Sequence, residues 1–194
     1  MSSDIVAALG PVVDLFESLQ VPYSVGGSVA SSAHGIARST LDVDVVADLR
    51  PSQVEQLVRL LEGRYYVDRD AVADAVTRRT MFNLVHFDTM LKVDVYVLKR
   101  QPFDVKSFER RIEDRLEADD QRLFFMATPE DTVLHKLDWY RAGGEVSERQ
   151  WSDVVGVLKV QSEALDLDYL RTWAASLDIA ELLERAIAES SQRR

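Results

Sequence analysis

The chain has 194 residues, 33 acidic against 23 basic side chains and no cysteine, for a formal net charge of −10. With 46% hydrophobic and 29% charged residues it has the make-up of one compact domain, or a core with a smaller helical cap, which excludes disordered, collagen-like and disulfide-stapled architectures. The missing cysteines exclude thiol catalysis and Cys-type zinc sites and are compatible with a cytoplasmic location, while the acidic balance opposes non-specific binding to DNA, whose phosphates it would repel.

The opening residues, Met1-Ser2-Ser3-Asp4, lack the basic region and apolar run of a signal peptide, and no run of about 18 apolar residues predicts a membrane span. Ile5, Val6, Leu9, Val12, Val13, Phe16 and Leu19 recur at helical spacing, with Pro11 set to kink or split that helix and Val21-Pro22 to end it. Tyr23-Ser24-Val25 predicts a short strand that runs into Gly26-Gly27-Ser28. A small-residue helix follows from Val29 to Ala33, stopped at Gly35. Leu41 to Ala47 predicts a strand, and Pro51 opens a helix with Val54, Leu57, Val58 and Leu61 on one face. Next come a strand at Tyr65 to Val67, a short helix over 70–78, and strands at Thr80–Phe87 and Met90–Leu98 around a turn at Phe87-Asp88-Thr89.

Asp104 to Arg110 predicts a helix, and residues 111–126 predict extended segments around Asp119-Asp120. The remainder is helical. Thr128-Pro129 caps one helix and Gly143-Gly144 stops it; Ser147-Glu148-Arg149-Gln150 and Asp178-Ile179-Ala180-Glu181 are capping boxes for two more. Trp139, Tyr140, Trp151 and Trp173 fall at helical spacings and are expected in the core rather than as a base-stacking platform. The expected fold class is α/β (α+β): a mixed β-sheet with flanking helices over residues 1–103, then a mostly helical part over residues 104–194 packed on it.

Three features carry chemistry together: Gly26-Gly27-Ser28 between a strand and a helix, Asp42-Val43-Asp44 on the next strand, and Lys92-Val93-Asp94 on a later one. Alternate side chains of a strand share a face. Asp42 and Asp44 therefore point one way and Val43 and Val45 the other; Lys92, Asp94 and Tyr96 are opposed in the same manner to Val93, Val95 and Val97. If the two strands are neighbours, three carboxylates converge. Two unit charges ~4 Å apart repel by about 4 kcal/mol at an effective dielectric of 20. Such a cluster protonates or binds divalent cations, and all-oxygen ligation favours Mg²⁺ or Mn²⁺. Two such ions ~3.5–4 Å apart stabilise the attacking and leaving oxygens of an in-line displacement at phosphorus. The glycine pair lets backbone approach a phosphate at the helix N-terminus, and the Ser28 hydroxyl adds a donor. Singly, each feature has a bland alternative: a turn, a solvated strand face, a lone acid.

The run Val25-Gly26-Gly27-Ser28, His34-Gly35, and Arg38-Ser39-Thr40-Leu41-Asp42-Val43-Asp44-Val45-Val46 resembles the signature of the polymerase-β-type nucleotidyltransferase superfamily, with Asp94 in the third acidic position. The Arg-x-Ser/Thr-x-Asp-Val-Asp approach, Lys92-Val93-Asp94, and the downstream Lys136 and Arg149-x-x-x-Asp153 are similar to its AbiEii-like branch. The resemblance implies an enzyme that moves an NMP from an NTP such as ATP to an acceptor hydroxyl. In it Gly26, Gly27 and Ser28 hold the triphosphate, with Arg38, Lys92 and Lys136 as further nucleotide contacts. Asp42 and Asp44 ligate both metal ions; Asp94 ligates the catalytic one and assists deprotonation of the acceptor. It implies an RNA, protein or small-molecule acceptor such as an aminoglycoside, and a toxin–antitoxin or phage-defence setting with a toxin or antitoxin partner. Two alternatives keep the fold: a non-catalytic nucleotide- or partner-binding module, and an antitoxin-type enzyme that modifies a toxin.

Other residues have plainer expectations. Arg149 and Asp153 are four apart on a helix, the spacing of a surface ion pair. Arg38 is placed to pair with Asp42 or a phosphate. His34 either lines the site, as the resemblance implies, or serves as a helix C-terminal residue favoured by the dipole. His86 is expected in the core and His135 has no expected role. The doublets Arg78-Arg79, Lys99-Arg100 and Arg110-Arg111 are expected in solvent, where a shared surface would guide an RNA acceptor.

Overall fold

The computed structural model describes residues 2–116 and 122–192. Helix α1 (Ser2–Ser18) runs through Pro11 without a break. Leu9, Val12, Val13 and Phe16 are fully buried. At about 1.5–3 kcal/mol for each large side chain removed from water, that face outweighs the ~3 kcal/mol a helix-interior proline costs. Strand β1 (Tyr23–Val25) leads into α2 (Gly27–His34), and β2 (Asp42–Ala47) follows. A 3₁₀ turn at Pro51–Gln53 opens α3 (Val54–Leu61); β3 (Tyr65–Tyr66) and α4 (Arg69–Arg78) come next, the latter capped by the Asp68 carboxylate. Strands β4 (Met81–His86) and β5 (Lys92–Val97) form a hairpin.

Helix α5 (Pro102–Arg110), β6 (Ile112–Asp114) and β7 (Phe124–Met126) lead to four helices: α6 (Pro129–Ala142), α7 (Glu148–Gln161), α8 (Leu167–Ser176) and α9 (Ala180–Gln192). Thr128 and Ser147 cap α6 and α7 as their sequences predict. Asp119 and Asp120, around which extended segments are expected, lie outside the described residues.

One mixed sheet has the order β3-β4-β5-β2-β1-β7-β6. β2 and β5 are parallel neighbours at its centre, and β1 is antiparallel to β2 and parallel to β7. Thus β6 and β7, from beyond residue 103, extend the sheet begun by the N-terminal strands. Val43, Val45, Ala47, Val93, Val95 and Val97 are buried in one apolar cluster with side chains of α1, α3 and α4. A second cluster is built from α6 to α9 with Phe103. The polar alternate residues of β2 and β5 are left on the other face. Among the described residues no helix is long and apolar enough to cross a membrane.

One local expectation is corrected. Asp178 does not cap α9. Its backbone is left-handed (φ 59°), the Ile179 N–H bonds back to Ala174 O at 2.9 Å, and its carboxylate accepts from Arg141, so it ends α8. Gly35 ends α2 as the sequence predicts, with φ −133° rather than a left-handed backbone. What it supplies is closeness, because a Cβ there would stand 2.9 Å from Val157 N on α7.

Candidate active site

The β2/β5 ladder sets the geometry. Asp44 stands opposite Asp94 and Asp42 opposite Lys92. In a parallel pair, opposed residues share a face, so the three carboxylates and Lys92 project together. Asp42, Asp44 and Asp94 line one cavity of about 660 Å³, with Gly26, Gly27, Ser28, Arg38 and Lys136 also on its wall.

The glycine turn is held against β2: Gly26 N–H bonds to Asp44 O at 2.9 Å, and the Ser28 N–H donates to the Asp44 carboxylate. Gly27 has φ +55°, and a Cβ there would lie 2.8 Å from Asp44 Cβ and closer still to its carboxylate. Glycine is therefore required twice, for the left-handed backbone and for the approach. Gly27→Ala is expected to cost ~1–3 kcal/mol of backbone strain and to displace Asp44, which unfolding curves and divalent-ion affinity together will show.

Asp44 is the strained charge of the group. Burial first, then the charges of Asp42 and Asp94, push its carboxyl up from 3.8 to about 6, against weaker help from Lys136 and the Ser28 N–H. Asp42 accepts from Thr40 Oγ1 at 2.7 Å. Asp94 is buried and both its oxygens are engaged: Oδ1 accepts from Asn83 Nδ2, and Oδ2 pairs with Lys92 Nζ at 2.8 Å. That hydrogen bond, and behind it the charges of Asp94, Asp42 and Asp44, holds the Lys92 ammonium above its usual range.

A divalent cation fits Asp42 and Asp44. Their donors are all oxygen, neither is in an ion pair among the described residues, and they face the cavity. Among the described residues no three Asp, Glu or His side chains form a ready metal cage. Two carboxylates with water and phosphate in the other positions suit Mg²⁺ rather than a fully proteinaceous site.

Asp153 corrects the expected surface pair with Arg149. Its buried carboxylate accepts from Arg38 Nε at 2.7 Å, Arg38 Nη2 at 2.8 Å and Lys136 Nζ at 2.8 Å. Arg38 Nη2 also donates to Ser28 Oγ at 2.5 Å. Burial alone would raise the Asp153 carboxyl, but the hydrogen bonds from Arg38 and Lys136 hold it below the usual range. The network joins the turn before β2, the start of α2, α6 and α7. Arg38 is thus paired with Asp153, not with Asp42.

Helix α6 has two buried aspects. Val133, Leu134, Leu137 and Tyr140 belong to the helical core. Thr132, His135, Lys136 and Trp139, spaced i, i+3, i+4, i+7, line the cavity. Trp139 is therefore not core: it is 44% exposed, with its ring 5.5 Å from that of Tyr96. Burial, then the charges of Asp44, Asp94 and Asp42, push the Tyr96 phenol up to about 12. His135, given no role by the sequence, packs on Phe103, shares a hydrogen bond with Ser107 Oγ at 3.0 Å, and is pushed toward its neutral form by burial.

His34 is buried away from this cavity, with Nε2 on Ala127 O at 2.8 Å, and ties α2 to the segment after β7. His86 is buried against Tyr65, as expected. The basic doublets are largely engaged: Arg79 and Arg100 with Asp48, Arg78 with Asp74, and Arg110 with Glu130, Asp131 and the Tyr169 ring.

Two solved structures are similar to this chain over nearly its whole length. The antibiotic-resistance factor ANT(2'')-Ia aligns with 99% of this chain and 98% of its own, at 16% identity and a TM-score of 0.57. An antigenic nucleotidyltransferase-like protein from Paracoccidioides brasiliensis aligns over 97% and 94%, at 14% identity and a TM-score of 0.56. The fold is nucleotidyltransferase-like. No protein-family model matches the chain, and no curated protein matches it significantly.

Proposed function

We propose that the protein is a metal-dependent nucleotidyltransferase that moves an NMP from an NTP to an acceptor hydroxyl. The observation that carries this reading is the β2/β5 register, which puts Asp42, Asp44 and Asp94 on one cavity wall beside the Gly27-Ser28 turn. Asp42 and Asp44 hold the divalent cation, Mg²⁺ or Mn²⁺, which supplies charge neutralisation at the phosphates. Gly26, Gly27 and Ser28 cradle the triphosphate with backbone N–H groups. Arg38 and Lys136, fixed side by side by Asp153, face the β- and γ-phosphates.

The acceptor oxygen forms its bond to the α-phosphorus as the bond to the leaving pyrophosphate breaks, and the acceptor proton passes to Asp94. A carboxylate has about four lone-pair positions, so the two donors on Asp94 leave room for it. Rate enhancement comes from positioning and electrostatics. Residues 1–103 supply the carboxylates and the glycine turn; residues 104–194 supply Lys136, Asp153 and the far wall.

A small hydroxyl-bearing molecule is the acceptor this reading favours. A cavity of about 660 Å³ falls within the ~300–1,000 Å³ of small-molecule pockets, and the Tyr96–Trp139 pair offers a ring surface. ANT(2'')-Ia, of the same fold, is an antibiotic-resistance factor. The AbiEii-like motifs support a second reading, with an RNA or a toxin or antitoxin partner as acceptor. Pyrophosphate release from NTP and Mg²⁺ is measured with aminoglycosides and other small hydroxylated compounds, with total cellular RNA, and with a co-expressed partner followed by intact-mass analysis. Turnover with small molecules is expected. NTP binding without turnover in any arm would leave a binding module and overturn the enzyme reading.

A further inference from the structure

We propose that Lys92 takes the place of a second metal ion, so that the protein holds one divalent cation, on Asp42 and Asp44, while the Lys92 ammonium serves the acceptor side. This rests on the nucleotidyl-transfer reading and departs from the two-ion arrangement that the sequence resemblance implies.

Three adjacent strands build the arrangement. Asn83 on β4 stands opposite Asp94 on β5, and Lys92 on β5 stands opposite Asp42 on β2. Asn83 Nδ2 donates to Asp94 Oδ1, and Lys92 Nζ is 2.8 Å from Asp94 Oδ2. Asp94 is only 5% exposed. Asp94 thus has a cationic partner from the chain itself, whereas Asp42, which accepts from Thr40, and Asp44, which accepts from the Ser28 N–H, have no ion pair among the described residues.

Charge decides between the alternatives. In the nucleotide-free site one divalent cation and one ammonium balance the three carboxylates. A second divalent cation on Asp94 would stand beside the ammonium, and a dication ~4 Å from a unit charge is repelled by about 8 kcal/mol at an effective dielectric of 20. The lysine would have to leave its carboxylate first. In place, it holds a positive charge next to the acceptor oxygen as that oxygen loses its proton.

The test counts ions without using activity. Mn²⁺ is titrated by electron paramagnetic resonance against the full chain with a nucleoside triphosphate whose α and β phosphorus atoms are bridged by methylene. Wild type is expected to bind one Mn²⁺ per chain. Asp94→Asn, which keeps the side-chain shape, is expected to leave the count at one ion, bound more weakly because a nearby negative charge is lost, and Lys92→Met to admit a second ion on the freed Asp94. Asp44→Asn is expected to weaken the single ion by at least the roughly 10–100-fold that disturbing a metal site typically costs. Two ions in wild type, one of them lost in Asp94→Asn, would overturn the proposal and leave the nucleotidyl-transfer reading standing. A single ion in Lys92→Met would also overturn it, since the lysine would not then be what excludes the second. No ion in wild type would overturn both.

Discussion

Asp44→Asn is expected to abolish nucleotidyl transfer and, in the metal-free protein at neutral pH, to raise stability. The loss follows from removing one of two carboxylates on the cation: the reaction should slow by ~10²–10³-fold or more, the scale of losing one preorganised electrostatic group. The gain follows from the displaced ionisation. The folded protein binds the Asp44 proton more tightly than the unfolded chain does, with a carboxyl at about 6 against 3.8. Stability from this group is therefore full below pH 4 and is lost as pH rises through 6. A displacement of about two units corresponds to ~3 kcal/mol, which for a chain of this size moves Tm by roughly 5–10 °C. Metal-free wild type and variant are melted between pH 4 and 8. The curves should coincide near pH 4, separate between pH 4 and 6, and stay that far apart above pH 6, with the variant higher. A variant that melts lower than wild type at pH 7.5 would show that Asp44 is not a strained charge.

Asp153→Ala should be the most destabilising single change in the site. Its carboxylate is the common partner of Arg38 and Lys136, and Lys136 and Asp153 are both buried. Removing one partner of a buried charge network leaves the others desolvated and unpaired, at a cost of ~3–5 kcal/mol. Tm should fall by about 10 °C or more, and the Michaelis constant for NTP should rise because two phosphate-facing cations lose their fixed place. The dependence on Lys136 is the specific readout. Combining Asp153→Ala with Lys136→Met removes one orphaned charge, so the double variant should melt above the sum of the single losses. Strict additivity would mean that the two residues are not coupled.

The contrast between Asp44 and Asp153 shows what the sequence carries. The period of two in Asp42-Val43-Asp44 and Lys92-Val93-Asp94 is a local property, so the shared face of each strand was readable in advance. The partnership of β2 with β5 was not, because alternation does not say which strands are neighbours. Spacing alone pairs Asp153 with Arg149, four residues before it, because spacing reports only contacts along one helix. Its real partners depend on how closely α2 and α7 approach, which Gly35 permits and which brings Arg38 across to α7. Trp139 and His135 show the same limit: α6 is covered on two sides, and helical spacing cannot tell a core face from a cavity wall. At Asp178 a local capping pattern lost to a left-handed turn that closes the preceding helix.

This cavity is expected to bind an NTP through a divalent cation held by Asp42 and Asp44. Calorimetric titration with a non-hydrolysable NTP, with and without Mg²⁺, on wild type and Asp42→Asn tests it most directly. Binding that requires Mg²⁺ and is lost in the variant is the predicted result; binding that is indifferent to both the ion and Asp42 would contradict the account.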